Sequence, residues 1–428
     1  MSAPLRVVAF GLRRLDGVEG GIETHARELY PRLAAAGYDV TVLTRPRRGE
    51  VLAGATAQCK TLTLWAPRSA ALETLVHSLL CTLYCLWTRP DVVHIHAIGP
   101  AICTFVLKAA RLRVVLTHHG RDYDAEKWSP LVRSMLRLAE RVGVRRADHV
   151  ICVSDALRGD IEKRFAVRAQ TIYNGIHALP PTPPAAAGLR TLVPGSYILM
   201  VGRITAHKRV LDVISAMDCS AFADTPLVIC GALSGADPNV AAVRAVAARQ
   251  SNVHLAGFVA PRDLPWLYAN ARCTVMASSY EGMPFAVLEA LGAGSAVLLS
   301  DIPAHRELAL AEDRYFPVAD HGRIRTSLAR LLREPWSGPQ AATFDARFDW
   351  SAIAHSTGAA YRAATARLAR PIDSPATAND ARSDYIGAAA CDSAAVSAAE
   401  GRLAADRQAA GGMPVLRLNA RLKAASDS

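Results

Sequence analysis

The sequence predicts an α/β protein built from two parallel-sheet units that face each other across a cleft. Three observations carry this. Short β-branched apolar runs alternate with amphipathic helical stretches over residues 6–173, and do so again over 197–318. Between the two runs Pro, Ala and Gly cluster in Leu179–Gly195 (LPPTPPAAAGLRTLVPG), as at a domain boundary. Glycines follow strands in both halves, and open parallel sheets bind ligands beyond their strand ends.

At 428 residues the chain is long enough for two domains. Its 51% hydrophobic and 20% charged content fits a globular chain rather than a disordered one. A net charge of +11 and a pI near 9.4 favour phosphate-bearing partners or an anionic membrane face. Nucleic acid is not an expected partner: there is no zinc-finger spacing, aromatic RNA-binding signature or basic zipper, and the Arg residues are spread along helices. The nine cysteines, Cys59 to Cys391, include no C-x2-C pair and read as reduced cytosolic thiols. MSAPLRVVAFG runs straight into a strand without a signal-peptide pattern, so the expected location is cytoplasmic.

Arg6–Phe10 (RVVAF) reads as a buried strand bounded by Gly11. A loop ending in Gly20-Gly21 follows, then a helix over Ile22–Ala35 with Ile22, Ala26, Leu29 and Leu33 on one face. Asp39–Thr44 is the second strand, which completes a Rossmann-like opening. The G-x-G-x-x-G fingerprint is absent, but Gly20 and Gly21 let the backbone approach a phosphate. Ser69–Trp87 is apolar but broken by Glu73 and His77, and too short to span a bilayer. A buried helix is predicted; the second reading is a helix resting in a membrane interface, at the inner face of the membrane.

Asp91–His96 places His94 and His96 on one face of a strand, residues 99–110 form a helix, and Arg113–Thr117 is a strand ending at His118-His119-Gly120. His96, His118 and His119 are thus expected to converge beyond the strand ends, as cleft groups or as metal ligands. Asp122-Tyr123-Asp124 is a second, weaker metal motif. Leu131–Val144 is an amphipathic helix with Leu131, Met135, Leu138 and Val142 on one side. Its Arg133, Arg137, Arg141, Arg145 and Arg146 form a solvated face or a contact for anionic lipid or a phosphate-bearing acceptor. Asp148–Val153 and Thr171–Tyr173 are strands around a helix over Asp155–Phe165 capped by Ser154. Asn174-Gly175 then favours positive φ.

In the second half, Tyr197–Val201 is a strand followed by GRITAHK. Arg203 and Lys208, the latter opening a helix over Arg209–Met217, set two cations over one loop, where they can neutralise a diphosphate. Strands at Leu227–Cys230 and Val253–Leu255 alternate with helices at Val240–Ala248 and Leu264–Ala269; Ala296–Ser300 and Tyr315–Val318 close the sheet. Between them Cys273–Ala277 is a strand, and Ser278–Leu291 (SSYEGMPFAVLEAL) is a tight turn leading into a helix with Pro284 at its first position. The N–H groups around Met283, Pro284 and Phe285 and the helix dipole make an anion cradle. Glu281 and Glu289 flank it, which suits a ligand carrying phosphates and hydroxyls, such as a nucleotide sugar. Trp350–Leu368 is a final helix, and the small polar stretch after it is expected to be disordered.

These motifs resemble those of retaining GT-B glycosyltransferases of the family-4 type. SSYEGMPFAVLEALGAG resembles the Glu-x7-Glu signature with its internal E-G-x-P, and GGIETH resembles the GG-x-E-x-H element. GRITAHK resembles G-R-x-x-x-x-K, and HIHAIGPA and THHGRDYDAEKW resemble segments of the polysaccharide-type enzymes. The resemblance implies a GT-B fold: an acceptor domain over 1–180, a linker over 181–195, a donor domain over 196–349 and a helix over 350–370 crossing back; it stops where the tail over 371–428 begins, which composition alone marks as disordered. It places Glu281 on donor sugar hydroxyls and Glu289 on the ribose. Arg203, Lys208 and Met283–Phe285 fall on the diphosphate, with Gly20 and Gly21 closing the cleft. His119 falls beside the transferring bond, although His118 is the alternative; His96, Asn174 and Gly175 fall near the cleft.

The resemblance further implies retention of configuration with no metal and no cofactor. The expected partners are a nucleotide sugar and a carbohydrate or polyprenyl-linked glycan acceptor, in assembly of a cell-surface polysaccharide, with peripheral contact to anionic membrane. No enzymic nucleophile is marked, so front-face displacement is the expected mechanism. A non-catalytic nucleotide-sugar-binding subunit is the alternative. A dehydrogenase or epimerase would need the missing fingerprint, and a phosphorylase a much longer chain.

Overall fold

The computed structural model describes residues 3–15, 20–46, 59–67, 70–121, 123, 128–176, 181–186, 188–233, 238–339 and 345–366. The expected tail, 371–428, and both aspartates of the Asp122–Asp124 triplet lie outside them. The first half contributes strands β1 (Arg6–Phe10), β2 (Asp39–Thr44), β3 (Lys60–Thr63), β4 (Val92–His96), β5 (Val114–His118), β6 (His149–Cys152) and β7 (Gln170–Thr171). They form a parallel sheet of order β3-β2-β1-β4-β5-β6-β7. The second half contributes β8 (Ile198–Val201), β9 (Leu227–Cys230), β10 (Val253–Gly257), β11 (Cys273–Met276), β12 (Val297–Ser300) and β13 (Tyr315–Phe316), in the parallel order β10-β9-β8-β11-β12-β13. Central strands β4, β5, β8 and β11 are buried at every position, which is why they read as continuous apolar runs.

Helices cover both faces of each sheet. They are α1 (Gly21–Ala35), α2 (Ala70–Thr88), α3 (Thr104–Ala109), α4 (Pro130–Arg146) and α5 (Asp155–Phe165) in the first half. The second half holds α6 (Val210–Ala216), α7 (Pro238–Ala247), α8 (Leu264–Asn270), α9 (Phe285–Gly292), α10 (Pro303–Arg306) and α11 (His321–Arg333). The last, α12 (Trp350–Ala366), returns to the first half: Trp350, Ile353, Ala354, Ala360, Tyr361 and Ala364 share a core with α1 residues Ala26, Leu29, Tyr30 and Leu33. Leu189 and Leu192, inside the expected linker, are buried in the core of the second half.

Four expectations change. The edge strand β3 (KTLT) was not predicted; its side chains are exposed or half-exposed, so no apolar run marks it. The helix near Ser69–Trp87 exists as α2 but is buried on one face only, leaving Leu72, Leu79, Leu83 and Trp87 about half exposed or more. Asn174 and Gly175 are not among the positive-φ residues. Gly175 is demanded instead by packing, since a Cβ there would lie 2.5 Å from the Trp350 ring. Finally, Pro284 is the extended N-cap of α9 rather than its first residue, and Lys208 ends a short 3-10 turn ahead of α6.

Candidate active site

The cleft forms where the carboxyl ends of both sheets meet, and backbone contacts close it. The loop between β11 and α9 lies against the loop after β5: a Cβ on Gly282 would stand 2.1 Å from the His119 carbonyl oxygen. The Arg121 N–H donates to the Tyr280 hydroxyl at 2.9 Å. The glycine turn before α1 meets the start of α9, with a Cβ on Gly21 only 3.0 Å from the Phe285 ring. Gly20 is the extended N-cap of α1. Asn174 ties a third strand end into the same place, donating to the Met283 carbonyl at 3.1 Å while its Oδ1 lies 3.0 Å from His25 Nδ1.

At the centre Lys208 Nζ donates to Glu281 Oε1 at 2.6 Å, and the Ser278 hydroxyl donates to the same oxygen at 2.6 Å. Burial alone would raise the Glu281 carboxyl, but the Lys208 ammonium and the Ser278 hydroxyl outweigh it and hold the group below the usual carboxylate range. Glu281 is therefore a carboxylate at neutral pH. Beside it, the Val287 and Leu288 N–H groups turn back to the Pro284 carbonyl, while those of Phe285 and Ala286 have no backbone acceptor among the described residues. A fixed ammonium next to the positive end of α9 is an anion site.

Glu289, two turns on, behaves oppositely. Burial pushes its carboxyl up to about 7, against the Tyr268 hydroxyl that donates to Oε2 at 3.1 Å and the charge of Arg27. Arg203 is exposed on the loop after β8 and makes no ion pair with any described residue.

The two histidines of the β5 end part company. His118 is fully buried away from the cleft, with Nε2 3.0 Å from Glu140 Oε1, a carboxylate also held by Arg164 at 2.7 Å. His119 takes the cleft side, and its Nε2 lies 3.0 Å from His96 Nδ1. His96 stands wholly buried behind it, so His96, His118 and His119 do not converge. A chain continues inward: His96 Nε2 meets the Tyr30 hydroxyl, which lies 3.1 Å from His94 Nδ1, itself 2.7 Å from the Tyr361 hydroxyl. Burial pushes His25 down to about 4 and His94 to about 3, and holds His96 and His119 well below the ordinary imidazole range. The rings are neutral, each with one N–H and one lone pair, so each tautomer constrains its neighbour.

Two family models match the chain: Glycosyltransferase Family 4 over residues 19–178 and Glycosyl transferases group 1 over residues 193–344. The chain belongs to the GT-B glycosyltransferases of the family-4 type. It is similar to a glycogen synthase of Mycobacterium tuberculosis, 28% identical over 388 residues that cover 81% of this chain and 92% of the relative. A GDP-mannose:cellobiosyl-diphosphopolyprenol alpha-mannosyltransferase of Xanthomonas campestris is 27% identical over 278 residues, covering 61% of this chain and 70% of the relative. Among solved structures, a sucrose-phosphate synthase of Thermosynechococcus elongatus superposes with a TM-score of 0.70 at 20% identity, over 83% of this chain and 98% of that one. An Anabaena protein solved with UDP and glucose gives a TM-score of 0.63 at 17% identity, with coverage of 83% and 98%.

In this glycosyltransferase Gly21, His119, Asn174, Lys208, Glu281, Met283 and Phe285 are brought together, Glu289 lies along α9, and His96 sits behind His119. Sequence reading missed several neighbours. Ser278 and His25 stood inside quoted motifs and were passed over. His305 was missed as well; it is buried, with Nδ1 2.8 Å from the Ser300 carbonyl, and burial pushes its imidazole down against the pull of that carbonyl and of the Glu281 charge. Tyr361 had no local signal, for it comes from α12, 267 residues from its partner His94.

Proposed function

We propose that this glycosyltransferase moves a hexose from a nucleoside diphosphate sugar to a carbohydrate or lipid-linked acceptor, with retention and without a metal, in assembly of a cell-surface polysaccharide. The Lys208–Glu281 pair, 2.6 Å apart, with Glu281 on the segment whose Gly282 packs against the His119 carbonyl and whose Phe285 packs against Gly21, is the observation that carries this reading. Lys208, Arg203 and the α9 N–H groups take the diphosphate and stabilise the charge that builds on it as the bond to the sugar breaks. That is the work a divalent cation would otherwise do. Glu281 accepts from sugar hydroxyls, and neutral His119 orients the sugar at the reacting face. The acceptor oxygen bonds to the anomeric carbon on the side the phosphate leaves, and its proton passes to a phosphate oxygen. The cellobiosyl-diphosphopolyprenol in the name of the Xanthomonas relative supports a lipid-linked acceptor.

A thermal-shift series with UDP, GDP and ADP in EDTA tests the donor site. One nucleotide at about 100 times its Kd raises stability by about 2.7 kcal/mol, a shift of several degrees. No shift with any of the three, or a shift only after a divalent cation is added, defeats the metal-free site.

Glu289 adds a pH signature. In the empty protein its carboxyl is raised to about 7, so the proton it holds stabilises the fold below its unfolded value near 4.5, and that contribution is lost as pH rises toward 7. Ribose hydroxyls donate to the carboxylate and expel this proton. Nucleotide affinity should therefore rise between pH 6 and 8, and Glu289→Gln should flatten that rise in calorimetric titrations. An equal pH dependence in the variant would remove Glu289 from the ribose.

A further inference from the structure

Helix α2 is inside out. Its core-facing positions are His77, Ser78, Cys81, Thr82 and Cys85, all buried. Its outward stripe is Leu72, Leu75, Leu79, Leu83 and Trp87, exposed by 51, 41, 49, 60 and 82%. The inward polar groups are satisfied: Ser78 and Thr82 hydroxyls donate to the Thr74 and Ser78 carbonyls at 2.7 and 2.8 Å, and His77 Nε2 lies 3.0 Å from the Thr44 carbonyl. The inner face thus fits the core with Leu86 as its partly buried leucine, and Leu72, Leu75, Leu79 and Leu83 point where no described residue covers them.

The apolar surface runs on across the neighbouring helices. Phe105 of α3 is 52% exposed, and Leu131, Met135 and Leu138 of α4 are 71, 54 and 56% exposed. Gly99, just ahead of α3, lies beside Thr74 of α2 and Leu136 of α4, so the three helices form one layer. An exposed patch of this kind marks an interaction surface. Its charge is one-sided. Arg111, Arg141, Arg145 and Arg146 are exposed around it, with the Arg146 guanidinium 4.8 Å over the Phe105 ring. The acids of these helices are withdrawn: Glu73 is ion-paired with Arg45 at 3.3 Å, and Glu140 is fully buried.

We propose that the outer face of α2, α3 and α4 is a docking surface for an anionic lipid bilayer. Leucine side chains enter the acyl boundary, Trp87 lies at headgroup level, and the arginines meet lipid phosphates while their stems stay in the apolar layer. Among the described residues no helix is long and apolar enough to cross a membrane, so the helix layer lies along the surface. In a parallel sheet the crossover helices begin at the strand ends that form the cleft. Leu72, Leu75, Leu131 and Met135 therefore lie at the cleft end, where a lipid-linked acceptor would arrive. That last consequence rests on the proposed function; the docking does not.

The test is co-sedimentation of the full chain with vesicles of phosphatidylcholine alone and with about 30% phosphatidylglycerol, at low and high salt. The wild type should bind the anionic vesicles about tenfold better at low salt, and Leu79→Ser/Leu83→Ser and Arg141→Ser/Arg145→Ser should each lose about tenfold in partition. Melting temperature and nucleotide-induced shift should not change, so a failed donor site is read separately from a failed docking face. Absence of binding to anionic vesicles at low salt overturns the proposal, as does binding that both variants retain. A dimer in light scattering that Leu79→Ser/Leu83→Ser dissociates, without vesicle binding, would assign the face to a second copy of the chain. If the leucine variant does not fold, the arginine variant alone decides, since its substitutions are on the surface.

Discussion

Lys208→Ala and Glu281→Gln should each lower turnover by about 10²–10³-fold, the usual loss when one preorganised group facing developing charge is removed. The two side chains share a bond of 2.6 Å in a cleft that leaves 14 and 11% of them exposed. Each therefore orients the other before the donor arrives. Removing one leaves the other charged and poorly solvated, so both single variants should also melt earlier, by an amount reflecting up to about 3–5 kcal/mol. The double change Lys208→Met/Glu281→Leu separates the two effects. Without a buried charge it should recover most of the melting temperature while remaining inactive. Steady-state transfer and thermal melts on the three proteins check this, and a double variant that still transfers sugar would reduce the pair to a structural bridge.

Gly282→Ala should lower kcat/KM by about 100-fold, because misplacement of reacting groups by about 1 Å commonly costs that much. The cause is steric and lies between domains. The new methyl would sit 2.1 Å from the His119 carbonyl oxygen and 3.5 Å from the Val153 side chain. The first of these is backbone, directly after β5, and cannot swing aside as a side chain can. The loop carrying Glu281 must therefore retreat from the loop carrying His119. That movement disturbs the diphosphate contacts at the start of α9 but leaves Glu289 and Tyr268 in place, so nucleotide affinity should fall by no more than about tenfold, or about 1.4 kcal/mol, and by less than turnover. Calorimetric nucleotide binding alongside transfer kinetics reads both numbers. Wild-type turnover in Gly282→Ala would mean that the two loops need not meet during the reaction.

Much of the second half's share of the candidate site was legible because its signals are local. A β-branched run, a glycine turn, a proline and two glutamates eight apart determine strand, loop, helix start and charge within one short stretch. The same holds for Gly202, whose φ of +150° frees the turn between β8 and Lys208, and for Ser154, whose hydroxyl accepts from the Leu157 N–H at 3.3 Å as a cap. The first half's share was less legible. His118 and His119 are adjacent and chemically identical, and alternation along β5 only says that they point to opposite faces. Which face meets the cleft is settled by Glu140 and Arg164 on one side and His96 on the other. The leucines of α2 show the converse error. Their spacing marks a helix face correctly, but hydrophobicity was equated with burial, and the core accepts the His77–Ser78–Cys81–Thr82 face instead.

By itself, then, the sequence determined two parallel α/β units, their order along the chain, and most of the residues that meet in the candidate site, because backbone propensity and short-range motifs act over a few residues. Only the tertiary structure decided that Gly282 touches His119, that Tyr361 closes a histidine chain begun at His119, and that α2 turns its leucines outward. Those outcomes depend on which surfaces distant segments offer one another, and no local pattern carries that information.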